Sequence, residues 1–272
     1  KWYGRSIPRP YRLITGLYDV STHVNKGFIT MTTITPASVF VVSGGAKGIT
    51  ARCVEVLAAR YRCKFLLLGR SQLADADPAW ASGVDDEAAL KKAAMGDLMA
   101  RGEKPTPPVV NRMARAVLSR REITGTLDAI RAAGGAAQYA SIDITGAASV
   151  KSAMDAAEIH LGPVTGIIHG AGVLADKLIE SKTRDDFDAV YTTKVTGLEN
   201  LLASVNPAQL THLVLFSSVA GFYGNVGQAD YALANEILNK AAHTYKAANP
   251  HTRVVSINWG PWDAGMVTPQ LK

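Results

Sequence analysis

Cysteine is scarce in this chain. Its 272 residues include only Cys53 and Cys63, with no CxxC pair and no histidine cluster beside them, so neither a disulfide framework nor a zinc site is expected. Two buried free thiols are the expected state. The six histidines are scattered without metal-ligand spacing, and no metal is expected. No apolar run approaches the roughly 18 residues that a bilayer-spanning helix needs, and the N-terminus lacks the apolar core of a signal peptide. A cytoplasmic protein with no membrane role is the resulting expectation. The net charge of +6 comes without a dense basic tract or a nucleic-acid-binding motif, which argues for a solvated surface rather than a nucleic-acid partner. There is no internal repeat. Because the chain starts at Lys1 without methionine and stops soon after a candidate active-site loop, it reads as part of a longer polypeptide.

What is present is an ordinary globular composition, 47% hydrophobic and 19% charged, long enough for a sizeable core. From about residue 37 apolar runs alternate with amphipathic stretches, the pattern of an α/β protein with a Rossmann-like, doubly wound parallel sheet. Strands are predicted over 38–42, 64–68, 137–142, 164–169, 213–217 and 253–258, and helices over 48–60, 127–133, 148–160, 185–204 and 231–248. Two regions break the alternation. Residues 1–34 read as an N-terminal segment, a remnant of an edge hairpin or neighbouring subdomain, ahead of a dinucleotide-binding domain over 35–272. Residues 72–122 read as a helical insertion in the second crossover, with helices over 85–100 and 109–122 divided by PTPP. Its expected role is packing or docking.

The run SVFVVSGGAKGIT places a glycine-rich turn between a strand and a helix, where backbone amides can approach a pyrophosphate. Ser43, Gly44, Gly45, Lys47, Gly48 and Ile49 are candidate cofactor residues, although Thr50 stands where a final glycine is usual. After the second strand the acid that would bind a ribose hydroxyl is missing. Arg70 stands there instead, followed by Ser71. With Lys47, it favours the 2′-phosphate of NADPH over NADH, the alternative being a solvated surface cation. Asp143, followed by Ile144, is read either as an adenine contact or as the cap of the next turn. Gly170, Ala171 and Gly172 of the HGAG run let a flat dinucleotide approach, and Gly260 and Pro261 bring backbone beside the nicotinamide.

One further absence concerns chemistry. Tyr231 is followed four residues later by Asn235, where a common reductase pattern carries lysine, and the missing cation reappears as Lys194 on an earlier predicted helix. Reduction of a ketone needs a polarised carbonyl and an acid within hydrogen-bond reach. Tyr231 is the candidate acid, with its pKa drawn toward neutral by the Lys194 ammonium. Ser218 would hydrogen-bond the substrate oxygen, and Asn235 would position the lysine or a proton-relay water.

Together SGGAKGIT, HGAGVLADK, TTKVTGLENL, LFSSVAGFYGNVGQADYALAN and NWGPWDAGM resemble the ketoreductase domains of polyunsaturated fatty-acid and iterative polyketide synthases, within the short-chain dehydrogenase/reductase superfamily. The resemblance covers about residues 36–266 and includes the exchange of lysine and asparagine between helices. It implies a 3-ketoacyl thioester held on the phosphopantetheine arm of an acyl carrier protein, and neighbouring synthase domains as partners. It also implies a substrate-covering lid after Met266. Leu174, Ala175 and Asp176 keep the last acid of the Leu-Asp-Asp motif found in members that give the 3R alcohol but lose the middle one, while Tyr223 stands where the opposite class has tryptophan. A 3R-hydroxyacyl product is therefore expected. The rival readings are a nucleotide-sugar-modifying relative, which would need lysine at 235, and a non-catalytic cofactor-binding domain of such a synthase.

Overall fold

The structure, a computed structural model, describes residues 33–261. Nearly all of the 1–34 segment lies outside the described residues, as do Trp262 and the region expected to lead into a lid. Six parallel strands form one sheet: β1 (Val39–Ser43), β2 (Lys64–Gly69), β3 (Ala136–Ser141), β4 (Gly166–His169), β5 (His212–Ser218) and β6 (Arg253–Trp259). Their order is β3-β2-β1-β4-β5-β6. The chain winds outward from β1 in one direction, returns to β4 and winds the other way, which opens a crevice beyond the C-terminal ends of β1 and β4.

The described helices are α1 (Gly48–Tyr61), α2 (Glu87–Ala100), α3 (Pro107–Ala132), α4 (Ala147–Leu161), α5 (Arg184–Tyr191), α6 (Gly197–Ala203), α7 (Ala220–Tyr223) and α8 (Ala229–Ala248). Every residue of β1 is buried, because the sheet is covered on both faces, and this is why its central strands read as continuous apolar runs. Successive side chains alternate between two cores. Val39 and Val41 pack with Met154 of α4, Leu198 of α6 and Leu238 of α8. Phe40 and Val42 pack with Val54 of α1 and Ile123 and Ile130 of α3. Each such large apolar side chain removed from water contributes about 1.5–3 kcal/mol.

Two helix predictions need correction. The segments predicted over 109–122 and 127–133 are one continuous helix, α3. Nothing between them stops it: Gly125 sits inside the helix at an open position, and the only prolines stand in its first turn, where a missing N–H costs nothing. The insertion is thus an outward extension of the crossover helix, and α2 folds back on it through Leu90, Ala94 and Leu98 against Val110, Ala114 and Val117. The single helix predicted over 185–204 is instead broken by a π-helical turn at Thr192–Thr196. The hydroxyls of Thr192 and Thr193 donate back to the carbonyls of Asp188 and Ala189, at 2.6 and 2.8 Å, a pattern that bends helices. Lys194 lies at the centre of this turn.

Candidate active site

A cleft of about 1710 Å³ runs along the C-terminal edge of the sheet. That exceeds the roughly 300–1,000 Å³ of an ordinary small-molecule pocket and suits a site shared by a dinucleotide and a second molecule. At one end is the glycine turn. Gly44 has φ +67, and a Cβ there would lie 3.1 Å from the Ala171 backbone, so the β1 and β4 ends meet too closely for a side chain. Gly48 has φ +61 and faces open space. Its N–H donates to the Glu122 carboxylate at 2.7 Å, so an anionic oxygen already rests on an amide at the start of α1. This donor arrangement fits a pyrophosphate.

Gly45 and Ser43 lie behind the cleft rather than on it. A Cβ on Gly45 would come within 2.5 Å of Val42, so this glycine is required by packing. Ser43 is fully buried. Thr50, the residue in place of the usual third glycine, is accommodated from the other side: a Cβ on Gly170 would come 2.5 Å from the Thr50 hydroxyl. The need for a small residue has moved across the interface, from the helix to the residue that follows β4.

Arg70 follows β2, and Lys47, which precedes α1, reaches toward the same end of the sheet. The Lys47 ammonium donates to the hydroxyls of Ser71 and Ser119, each at 3.1 Å, while Arg70 is exposed on the cleft wall with Ile144 and Asp143. One oxygen of Asp143 accepts from the Thr145 N–H and hydroxyl, which is the turn-capping arrangement, and those bonds hold its carboxyl below the usual range. Gly260 and Pro261 line the opposite end.

Beyond the glycine turn Lys194 is 3% exposed. Its ammonium donates to the Phe216 carbonyl at 3.0 Å and stands 5.7 Å from the centre of the Tyr231 ring. A Cβ on Gly172 would press on the lysine chain at 3.2 Å, so this glycine clears the lysine's path. Burial lowers the Lys194 pKa to about 8. Ser218 ends β5 beside the Tyr231 phenol. Asn235, fully buried one turn after Tyr231, donates to the Tyr231 carbonyl at 2.7 Å, and its Oδ1 has no donor among the described residues.

The expectation that Lys194 draws the tyrosine toward neutral pH is overturned. Burial pushes the Tyr231 pKa up, against hydrogen bonds from Ser218 and Asn235 that pull it down, with the Asp176 charge adding to the rise. The ammonium donates to the Phe216 carbonyl and stands over the Tyr231 ring. Tyr231 therefore keeps its proton, the state needed for donation. Asp176 is at the rim, where its carboxylate accepts from Gln228 at 2.9 Å. Tyr223 is 81% exposed at the mouth.

Several residues at the site do not stand out in the sequence. One is His169, at the head of the HGAG run. It is fully buried, and burial, then the Lys194 charge, lower its pKa to about 3. Being neutral, it donates from Nε2 to the Lys194 carbonyl at 2.8 Å and accepts from the Ser43 hydroxyl at 2.7 Å on Nδ1. The π-helical turn is thereby tied to the sheet. A signal for it does exist, since a histidine at a buried strand end must find two partners. The insertion also reaches the cleft: Arg112, Ser119 and Glu122 share one face of α3 with Thr126, which donates to the Ala46 carbonyl at 3.1 Å.

A sequence profile described as KR domain matches residues 38–264. The chain belongs to the KR, or ketoreductase, domain family. This KR domain is 50% identical over 246 residues to a polyunsaturated fatty acid synthase polypeptide of Thraustochytrium sp., a match covering 88% of this chain and 9% of that protein. It therefore spans a small part of that curated relative's length. Among solved structures, a ketoreductase domain from the bacillaene assembly line superposes with TM-score 0.64 at 26% identity, over 88% of this chain and 48% of that one. A blue fluorescent protein from a metagenomic library, in complex with NADPH, shares the fold with TM-score 0.62 at 18% identity, over 84% and 76%. Among the described residues of this KR domain, no helix is long and apolar enough to cross a membrane.

Proposed function

We propose that this KR domain reduces a 3-ketoacyl thioester to the 3-hydroxyacyl thioester with NADPH, acting on a chain carried by the phosphopantetheine arm of an acyl carrier protein within a multidomain fatty-acid or polyketide synthase. The observation that carries this reading is the buried Lys194 ammonium packed on the Tyr231 ring beside Ser218, in the same crevice as the glycine turn. Bound NADPH supplies hydride to the carbonyl carbon. Ser218 holds the carbonyl oxygen and Tyr231 gives it a proton, so the C=O becomes CH–OH. Lys194, charged below about pH 8, offsets the negative charge left on the phenol. Asn235 Oδ1, which has no donor among the described residues, would accept from a relay group that returns the proton.

Arg70, Lys47 and the nearby Arg112 favour the extra phosphate of NADPH, since the wall carries cations where an NADH site carries an acid. The net charge of +6 suits an acidic carrier protein. A 3R product follows from Leu174 and the Gln228-held Asp176 on one bank of the cleft, with no tryptophan at Tyr223 on the other. The test is to supply this chain with a short 3-ketoacyl thioester and NADPH or NADH and to determine product chirality. Tyr231→Phe is expected to lose turnover by at least about 100-fold while NADPH still binds. Undiminished turnover in that variant would reject the assigned acid, and an inert wild type would favour the non-catalytic reading.

A further inference from the structure

One buried ion pair lies outside the catalytic set. The side chains of Lys182 and Asp230 are 5% and 0% exposed, with the Lys182 ammonium 2.8 Å from Asp230 Oδ2. Both groups have second partners. Lys182 also donates to the Ala175 carbonyl at 2.7 Å, and Asp230 Oδ1 accepts from the Tyr231 N–H at 2.9 Å. An unbroken chain of bonds therefore runs from the residue before Asp176, through two buried charges, to the backbone of the proposed proton donor.

Those two ends lie beside segments that both line the cleft. Val173 and Leu174 line one bank, and Gly224, Asn225 and Gln228 line the other. The banks are also joined by the Lys177 N–H to the Gly227 carbonyl at 2.9 Å and by Gln228 to Asp176. Behind them Val173, Ala175 and Tyr231 pack on the same small cluster as Val195, the neighbour of Lys194. The segment between β4 and residue 179 has no helix or strand of its own, so these ties set where it sits. Taking two charges out of water costs several kcal/mol per ion, and a pair of apolar residues would join the same surfaces at less expense. What the ion pair adds is direction, because its bonds end on particular backbone atoms.

We infer that Lys182 and Asp230 are positioning residues that fix the spacing between the 173–178 bank and Tyr231, and thereby the face of the ketone that meets the cofactor. A ketone between unlike groups gives one alcohol or its mirror image according to which face is presented. An error of about 1 Å in placement is enough to lose about 100-fold in rate. The inference rests on the ketoreductase reading of the site.

The experiment compares wild type with Lys182→Met, Asp230→Asn and the charge-free double variant Lys182→Met/Asp230→Leu, using a short 3-ketoacyl thioester and NADPH. Product hand, kcat, KM, NADPH affinity and melting temperature are measured for each. The expected result is a minor enantiomer that rises at least about tenfold and a kcat that falls about 10- to 100-fold, with NADPH affinity within about twofold of wild type. The double variant should melt above either single variant, since it leaves no unpaired buried charge, yet remain stereochemically relaxed. A purely structural pair would instead lower stability and leave the enantiomer ratio of the folded fraction untouched. Folded variants with the wild-type ratio, or a double variant that regains it, would overturn the inference alone. A wild type that reduces nothing would overturn the reading of the site as well.

Discussion

Lys194→Met is expected to make the cofactor-free protein more stable while abolishing its activity. The lysine is charged at neutral pH but sits in the interior, and burial lowers its pKa from 10.5 to about 8. At about 1.4 kcal/mol per pKa unit, keeping that ammonium charged costs the fold about 3 kcal/mol. Methionine fills a similar volume without charge, but loses the hydrogen bond to the Phe216 carbonyl, worth about 1 kcal/mol net. The balance is a gain of about 2 kcal/mol, or about 4–8 °C in Tm for a domain of this size. The pH dependence identifies the cause. The folded pKa is below the unfolded one, so between about pH 8 and 10.5 the unfolded chain holds a proton that the folded chain has released, and wild-type stability rises with pH. The penalty is therefore complete below about pH 8 and gone above about 10.5. Thermal or urea unfolding of both proteins at pH 7 and pH 10 provides the assay, with the variant ahead at pH 7 and the gap closing at pH 10. A variant that melts at or below wild type at pH 7, or a gap unchanged by pH, would refute the argument that burial of the charge dominates.

Other expectations concern the cofactor end. Arg70→Glu should weaken NADPH binding at least about tenfold and NADH binding much less, as read by nicotinamide fluorescence, because a charge-assisted phosphate contact is replaced by repulsion; equal weakening would reject the contact. Gly170→Ala should destabilise the fold by about 1–3 kcal/mol, because its Cβ falls 2.5 Å from the Thr50 hydroxyl. Adding Thr50→Gly should recover most of that loss in chemical denaturation.

The central strands are legible because a sheet covered on both faces leaves uninterrupted apolar runs, and the predicted ends of all six described strands fall within two residues of the observed ones. The nearness of Lys194, Ser218 and Tyr231 on one cleft matches what residue type and spacing suggest. What escapes depends on tertiary contacts. The π-helical turn needs two threonines bonding back and a histidine holding the Lys194 carbonyl, and helical periodicity carries neither. Nothing local in the sequence reveals that Lys182 and Asp230 meet across 48 positions. The direction of the Tyr231 pKa is misjudged from sequence because proximity of an ammonium suggests action on the phenol oxygen, whereas desolvation dominates.

The insertion shows why a helix has to be read on all its faces. Its apolar stripe, Val110, Ala114 and Val117, fits a packing appendage, and α2 does cover it. The polar residues Arg112, Ser119, Glu122 and Thr126 recur at intervals of 7, 3 and 4, which places them on one side of the same helix. That side runs along the glycine turn. Thr126 bonds the Ala46 carbonyl, Glu122 the Gly48 amide and Ser119 the Lys47 ammonium. Because α3 continues without a break into the crossover that packs on the sheet, these side chains are held by the core rather than by a mobile loop. A carboxylate fixed over the first amide of α1 also competes with any phosphate that approaches it. The segment that interrupts the α/β pattern therefore helps set the electrostatics of the cofactor cleft, through a stripe whose partners lie more than 70 residues away in sequence.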